Sequence, residues 1–330
     1  MKSRSGRVVV VTGASAGVGR ATVRAFAREG AHVGLIARDT EGLHTAAREV
    51  GELGGEGLAA PADVAHADQL EAAAERIEKE LGPIDVWVNN AMTTIFGRVI
   101  DVTPEEFKRA TEVTYLGTVY GTMAALRRML PRDEGRIIQV GSALAYRSIP
   151  LQAAYCGAKH AIAGFTDSLR TELLHDHKNI HLTMVQLPAM NTPQFTWCRS
   201  KMPCHPQPVP PIFQPEVAAE RIVWASHHKR REVFVGVPTV IAIEGNKIAP
   251  ALADHYLGRT GFDSQQTKEA VSKNRQDNLF EPLPGDFGAH GIFGDQAHSQ
   301  AATTWLAQHK GLSAFVGAAA VGVLAYVFKK

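Results

Sequence analysis

Short apolar runs alternate along the chain with longer stretches whose apolar positions recur every three or four residues. Arg7 to Val11 is a nearly continuous β-branched run, the pattern of a strand buried on both faces. Comparable runs follow at Ala31 to Ala37, Leu58 to Ala60, Ile84 to Val88, Gly135 to Val140, Ile180 to Leu187 and Glu232 to Val235. Helical spacing separates them. Ala21, Val23, Ala25, Phe26 and Ala27 form one apolar face, and Leu43, Ala46, Ala47 and Val50 form a second. Ala65 to Leu81 predicts an exposed, charge-rich helix. Thr103-Pro104-Glu105-Glu106 predicts a helix start, with threonine as cap and proline at the first position, running to about Leu130. Ala158, Ala161, Ile162, Phe165 and Leu169 mark a further helix, and Glu216 to Ser226 another. Strands alternating with helices predict an α/β fold, a doubly wound parallel sheet with helices on both faces.

The polar punctuation falls at one end of these strands. After the first comes Thr12-Gly13-Ala14-Ser15-Ala16-Gly17-Val18-Gly19, and a helical pattern opens directly behind it. Strand, glycine-rich turn and helix start make a dinucleotide-binding signature. The glycines let the backbone approach a pyrophosphate, which the helix N-terminus holds with its unpaired N–H groups. The second strand ends at Arg38, where an acidic residue would bind the ribose 2′-hydroxyl of NAD(H). An arginine instead suits the 2′-phosphate of NADP(H). Asp39 follows directly and leaves NAD(H) open, unless it caps the next helix. Asp63-Val64 ends the third strand, Asn89-Asn90-Ala91 the fourth, Ser142 the fifth and Pro188 the sixth. Ligands bind such sheets outside the carboxyl ends of the strands, and chance motifs would not share that edge.

Ser142 to Lys159 carries the candidate chemistry. Tyr155 and Lys159 lie one turn apart on one helix face, and Ser142 ends the adjacent strand. A phenol is a poor base at neutral pH, and an ammonium one turn away favours the phenolate. The trio suits proton transfer to or from a carbinol oxygen.

Composition narrows the field. The 330 residues carry a net charge of only +2, and no basic run resembles a nucleic-acid footprint. Three cysteines, Cys156, Cys198 and Cys204, have no disulfide-like spacing, which suits a reducing compartment. Cys198, Cys204 and His205 lack a fourth ligand at useful spacing, so no metal is expected. The N-terminal apolar run ends in Thr12-Gly13 with no small-residue cleavage site, so a strand is expected there rather than a leader.

TGASAGVG at 12–19, Asp63-Val64, NNA at 89–91, Ser142, YCGAK at 155–159 and Pro188 with Asn191-Thr192 together resemble the short-chain dehydrogenase/reductase family. The resemblance covers about residues 5–235. It implies a Rossmann-type fold and hydride transfer with NAD(P)(H). It implies that Thr12, Gly13, Ser15, Gly17, Val18, Gly19, Arg38, Asp63, Val64, Asn90, Ala91 and Pro188 serve the cofactor. Tyr155 is the implied acid/base and Ser142 polarises the substrate oxygen. Lys159 lowers the tyrosine pKa and binds the nicotinamide ribose, and Thr192 meets the nicotinamide amide. One departure stands out. Where the family has an asparagine whose carbonyl holds a relay water near the lysine, this chain has Thr114, within Glu112-Val113-Thr114-Tyr115-Leu116-Gly117. The carbonyl survives that exchange, while the helix distortion that the asparagine supports is not assured.

Ala189 to Gln214 is proline-rich and carries Met190, Phe195, Trp197, Met202, Val209, Ile212 and Phe213, too apolar for a solvated linker. In the family this region forms a lid, which points to a lipophilic ketone, aldehyde or alcohol as substrate. The competing expectation is packing against a partner subunit or against the C-terminal extension. The catalytic unit is expected over residues 1–236, followed by an extension and linker over 237–310. Val237 to Leu257 is helix-prone and, in relatives, often contributes to dimer contacts, compatible with a homo-oligomer. Asp263 to Gln300 is expected to be a linker of little regular structure with sticky spots at Leu279-Phe280-Glu281-Pro282 and Phe287-Gly288-Ala289-His290-Gly291. Residues 311–328 carry no charge, Tyr326 lies near their end, and Trp305, Lys310, Lys329 and Lys330 flank them. As a helix they span roughly 27 Å, close to a hydrocarbon core. A C-terminal membrane anchor with the catalytic unit on the cytosolic side is expected, against a buried or subunit-docking helix. A catalytically idle NADP-binding sensor or scaffold is the alternative function.

Overall fold

Seven strands form one parallel sheet: β1 (Val8–Thr12), β2 (His32–Ala37), β3 (Gly57–Pro61), β4 (Val86–Asn89), β5 (Gly135–Ser142), β6 (Ile180–Leu187) and β7 (Glu232–Phe234). Their spatial order is β3-β2-β1-β4-β5-β6-β7. The chain winds outward in one direction from β1 and in the other from β4, so the topological switch lies between these two. The structure, a computed structural model, describes residues 6–301 with the exception of 273.

The apolar run of β1 is buried on both faces because alternate residues serve two cores. Val9 and Val11 join one cluster with Val23 and Phe26 of α1 (Gly17–Arg28), Leu43 of α2 (Thr40–Glu52) and Ile222 of α7 (Pro215–His227). Val8 and Val10 face the opposite cluster with Leu70 and Ile77 of α3 (Ala67–Leu81), Ala124 of α5 (Gly117–Met129) and Leu169 of α6 (Ala153–His175). Each buried valine contributes about 1.5–3 kcal/mol, enough for these faces to fix the strand register.

The start of α4 (Pro104–Thr111) is as the sequence predicts. Thr103 and Glu106 form a reciprocal capping box with Pro104 at the first position. The single helix expected to run on to Leu130 is not observed. After Thr111 the chain makes a π-helical turn, Glu112–Leu116, and only then enters α5. Thr114 anchors that turn: its hydroxyl accepts from the Thr93 N–H at 3.1 Å and donates to the Thr93 carbonyl at 3.0 Å. The distortion therefore forms with threonine in place of asparagine.

Two further helices, α8 (Val237–Ile248) and α9 (Pro250–Thr260), follow β7. The stretch expected as a linker has little regular structure, but it is no solvated spacer. Gln266–Ala270 pairs with Cys204–Pro206, and Ala297–His298 pairs with Ile212–Phe213. Leu279 is fully buried, and Ala289 and Phe293 are nearly so. Backbone hydrogen bonds to distant loops carry this strap. The apolar stretch 311–328 lies outside the described residues, and among the described residues no helix is long and apolar enough to cross a membrane.

Candidate active site

The glycine turn is locked to the loop after β4. The Thr12 hydroxyl accepts from the N–H groups of Asn90 (3.0 Å) and Ala91 (3.1 Å), and the Asn90 amide donates to the Thr12 carbonyl (3.0 Å). This approach requires glycines. A Cβ on Gly13, which has φ +66°, would lie 2.9 Å from the Ala91 Cα, and one on Gly19 would lie 2.0 Å from the Gly13 carbonyl. Ala16 caps α1 without a side-chain hydrogen bond, and no acidic residue stands in the first turn. The N–H groups of Val18 and Gly19 have no partner within the helix and suit an anion. A dinucleotide pyrophosphate fits this cradle. Asn89, the other asparagine of the pair, belongs to the core. It accepts from the Trp87 indole (2.8 Å) and donates to Thr122 and Gln139.

At the end of β2 the two neighbours separate in role. Asp39 caps α2, accepting from the N–H groups of Glu41 and Gly42. Arg38 donates to two strap carbonyls, Phe280 at 2.6 Å and Asn278 at 2.5 Å. Asp63 accepts from the Ala65 N–H and from Arg109 of α4. Burial alone would raise the Asp63 carboxyl, but the Ala65 N–H and the Arg109 guanidinium override it and hold the group below its usual range.

Ser142, Tyr155 and Lys159 converge on one cavity. Ser142 accepts from the Leu144 N–H at 3.1 Å and faces the same cavity as the Tyr155 phenol. Lys159 donates to the Val140 carbonyl at 2.6 Å, and its Nζ lies 5.5 Å from the Tyr155 ring centroid. Here the charge logic differs from the sequence expectation. Burial pushes the phenol well above its ordinary value, with the neighbouring Ser142 hydroxyl opposing it in part. Burial also lowers Lys159 to about 8. The ammonium is directed at a carbonyl, so desolvation dominates both groups. Thr114 is behind the cavity wall. Its carbonyl accepts from the Thr118 hydroxyl at 2.9 Å.

The cavity has a volume of 470 Å³. Of the expected cofactor residues, Gly13, Ser15, Gly17, Val18, Arg38, Asp63, Val64, Asn90, Ala91, Pro188 and Thr192 line it. Thr12 and Gly19 stand one layer behind, shaping the turn. On the substrate side Met190, Phe195, Trp197 and Val209 of the expected lid face the cavity, whereas Ile212 and Phe213 are core residues. The lid packs on the extension and walls the cavity at once. Arg199–Ser200 pairs with Ile95–Phe96, and Phe195 meets Phe293 of the strap edge-on.

Several wall residues escape a reading of the sequence. Gln152 is the N-cap residue of α6, three positions before Tyr155, and it accepts from Thr94 and donates to Gln265. Pro282 and Phe287, from the sticky spots of the expected linker, also line the cavity, as do Asn278 and Leu283, which no local signal marks. Arg20 is wholly buried. It reaches the carbonyls of Ser15 and Gly42 and the carboxylates of Glu49 and Asp286, tying the glycine turn to α2 and the strap.

A sheet with its switch point at a glycine turn, and a serine, tyrosine and lysine at the adjacent edge, define a dinucleotide-dependent oxidoreductase site. The family model for short chain dehydrogenases matches residues 7–202, and the chain belongs to that family. It is similar to the uncharacterized oxidoreductase YxnA of Bacillus subtilis (strain 168), 32% identical over 85% of this chain and 80% of that protein. It is also similar to the 3-dehydrosphinganine reductase of Danio rerio, 32% identical over 66% of this chain and 68% of that protein. Among solved structures, an alcohol dehydrogenase from the archaeon Thermococcus sibiricus, complexed with 5-hydroxy-NADP, superimposes with a TM-score of 0.59. It is 26% identical, over 69% of this chain and 95% of that one. This protein is accordingly an oxidoreductase of the short-chain dehydrogenase/reductase family.

Proposed function

We propose that the protein is an NADP(H)-dependent carbonyl reductase or alcohol dehydrogenase for a bulky lipophilic ketone, aldehyde or alcohol. The observation that carries this is a single cavity. The glycine turn, Arg38, Ser142, Tyr155, Lys159 and the apolar lid residues Phe195 and Trp197 all line it. A bound nicotinamide dinucleotide supplies the hydride in reduction and takes it up in oxidation. The chain's own residues handle the oxygen and its proton. Ser142 holds the carbonyl oxygen through its hydroxyl. Tyr155, protonated at neutral pH, donates its proton to that oxygen as the carbonyl carbon is reduced. The Lys159 ammonium stabilises the phenolate left behind and holds the nicotinamide ribose. The Thr114 carbonyl, on its π turn, extends the proton path from Lys159 toward solvent.

Support for the substrate class comes from the lid, whose aromatic side chains exclude water from the reacting carbon. One relative, from Danio rerio, is named as a reductase of 3-dehydrosphinganine. The uncharged stretch 311–328 serves as a membrane anchor, with the catalytic unit on the cytosolic side. The outer face of α8 and α9 exposes Ile241, Ile248, Leu252 and Tyr256, an apolar surface suited to a bilayer or to a second copy of the chain. Nicotinamide absorbance, followed with both cofactors over a panel of long-chain and short polar carbonyls including 3-dehydrosphinganine, tests the reading. Preferential turnover of the long-chain compounds with NADPH is expected. Equal or faster turnover of the small polar compounds would overturn the substrate class. Recovery of the full chain in a high-speed supernatant without detergent would overturn the anchor.

A further inference from the structure

Three successive strap carbonyls point at two guanidinium groups. Arg38 donates to Asn278 and Phe280, and the Arg109 Nε donates to Leu279 at 3.1 Å. The carbonyls owe their placement to other contacts. The Leu279 side chain is buried against Ile95, Ala110 and Ala154. The Leu279 N–H donates to the Asp277 carboxylate at 3.1 Å, and Asp277 pairs with Arg199 at 2.9 Å. The Asn278 N–H donates to the Trp197 carbonyl at 3.0 Å.

Arg38 itself has no ion pair among the described residues. Asp63, at the next strand end, forms its ion pair with Arg109. A guanidinium offers five N–H donors. The strap carbonyls take two of them and leave three, including the Nε–H, without a strap partner. Carbonyls orient a cation without neutralising it, whereas a carboxylate in their place would cancel the charge an anionic ligand needs. An arginine fixed in advance also loses less rotamer freedom when a ligand arrives.

We propose that residues 278–280 are a positioning element for cofactor choice, holding Arg38 so that its remaining N–H groups meet the cofactor 2′-phosphate. Arg109 ties the same strap to the neighbouring strand end, pairing with Asp63 while it donates to the Leu279 carbonyl. NAD(H) lacks the phosphate and gains nothing from the strap. This rests on the NADP(H) reading above.

The test measures binding, apart from turnover, on the full-length protein. Dissociation constants for NADP+ and NAD+, and for adenosine 2′,5′-bisphosphate and adenosine 5′-monophosphate, are determined by calorimetry for the wild type, Arg38→Ala, Leu279→Ala and Asp277→Asn. Asp277→Asn keeps the size of the side chain and guards against a Leu279→Ala protein that fails to fold. Arg38→Ala is expected to reduce the preference for the 2′-phosphorylated ligands by tenfold or more, on the order of one charge-assisted contact. Both strap variants are expected to reduce it by about three- to tenfold, with affinity for NAD+ and the monophosphate within about twofold of wild type. If Arg38→Ala collapses the preference while the strap variants leave it intact, or weaken both ligand classes equally, the positioning role is wrong and the NADP(H) reading stands. If the wild type shows no preference and Arg38→Ala changes nothing, both fall.

Discussion

The inner wall of the site is made by residues 12–19, 38, 63, 90–91 and 142, each at the carboxyl end of a strand. The outer wall is made by residues 194–211 and 278–287, which lie far from those strand ends in sequence. Short-range rules place the inner wall: a glycine turn, a helix cap, a helix turn between Tyr155 and Lys159. Long-range pairs place the outer wall. Arg38 reaches across 242 positions to Phe280, and Arg20 across 266 to Asp286. On the proposed function, chemistry and cofactor cradle belong to the half placed by local rules, and substrate range and cofactor choice draw on the half placed by long-range pairs. Changes to the inner wall should alter rate for every substrate. Changes to the outer wall should alter preference or stability and leave the chemical step in place.

The largest test of that division is Ser142→Ala. Loss of the hydroxyl that holds the reacting oxygen should reduce kcat/KM by about 10²–10³-fold, for long and short carbonyls alike. A loss confined to one substrate length would erase the division. Next is Glu106→Gln, in the outer wall's support. Glu106 is nearly buried and holds Arg199 and Lys201, each at 2.8 Å. The variant should lose about 2 kcal/mol in thermal unfolding, as expected for stripping one partner from a buried charge cluster, with the wild-type rate per folded molecule.

The pH dependence of that difference follows from its sign. Burial would raise the Glu106 carboxyl, but Lys201, Arg199 and the Thr103 N–H lower it from 4.5 to about 2. The stabilisation is therefore complete above the unfolded value and is lost as pH falls through about 2. Melting curves of wild type and variant should converge in acid. A gap that stays constant down to that range would contradict the pairing. Glu49, held at about 2 by Arg24 and Arg20 against its burial, should follow the same course.

A smaller effect is expected from Trp197→Ala, about tenfold in kcat/KM for a bulky ketone and little for a short one, the scale of one lost apolar contact surface. An equal loss on both would move Trp197 into the catalytic half. The smallest effect concerns protonation. Lys159, lowered by burial to about 8, is cationic below that pH and neutral above it in the unliganded protein. Carbonyl reduction should weaken as pH rises through about 8, and a profile that climbs instead would remove the ammonium from the proton path.

Much of the inner wall was legible in the sequence because its signals are local. Arg7 to Val11 reads as a doubly buried strand and forms as β1, Thr103 and Pro104 read as a helix start and form one, and the glycines of residues 12–19 read as a close backbone approach that Gly13 and Gly19 make. Arg38 and Asp39 could not be separated by spacing, since either residue type suits that position. The structure separates them by partner, a helix N-terminus for one and strap carbonyls for the other. The π turn at Thr114 was not legible, because a helix period says nothing about a threonine that exchanges two hydrogen bonds with Thr93. The strap was misread as a linker for a similar reason. Residues 276–294 form almost no regular structure and bury only scattered side chains, Leu279, Ala289 and Phe293, so no periodicity records their packing.

The central claim is that Tyr155 moves the proton in a hydride-transfer reaction within this cavity. Its most direct test compares wild type with Tyr155→Phe, measuring dinucleotide binding by calorimetry and single-turnover oxidation of NADPH by nicotinamide absorbance with a long-chain ketone. The account predicts binding within a few-fold and a turnover rate lower by about 10²–10⁴-fold, the range for loss of a general acid. A phenylalanine variant that turns over at the wild-type rate, or a wild type that binds the cofactor and transfers no hydride, would contradict it.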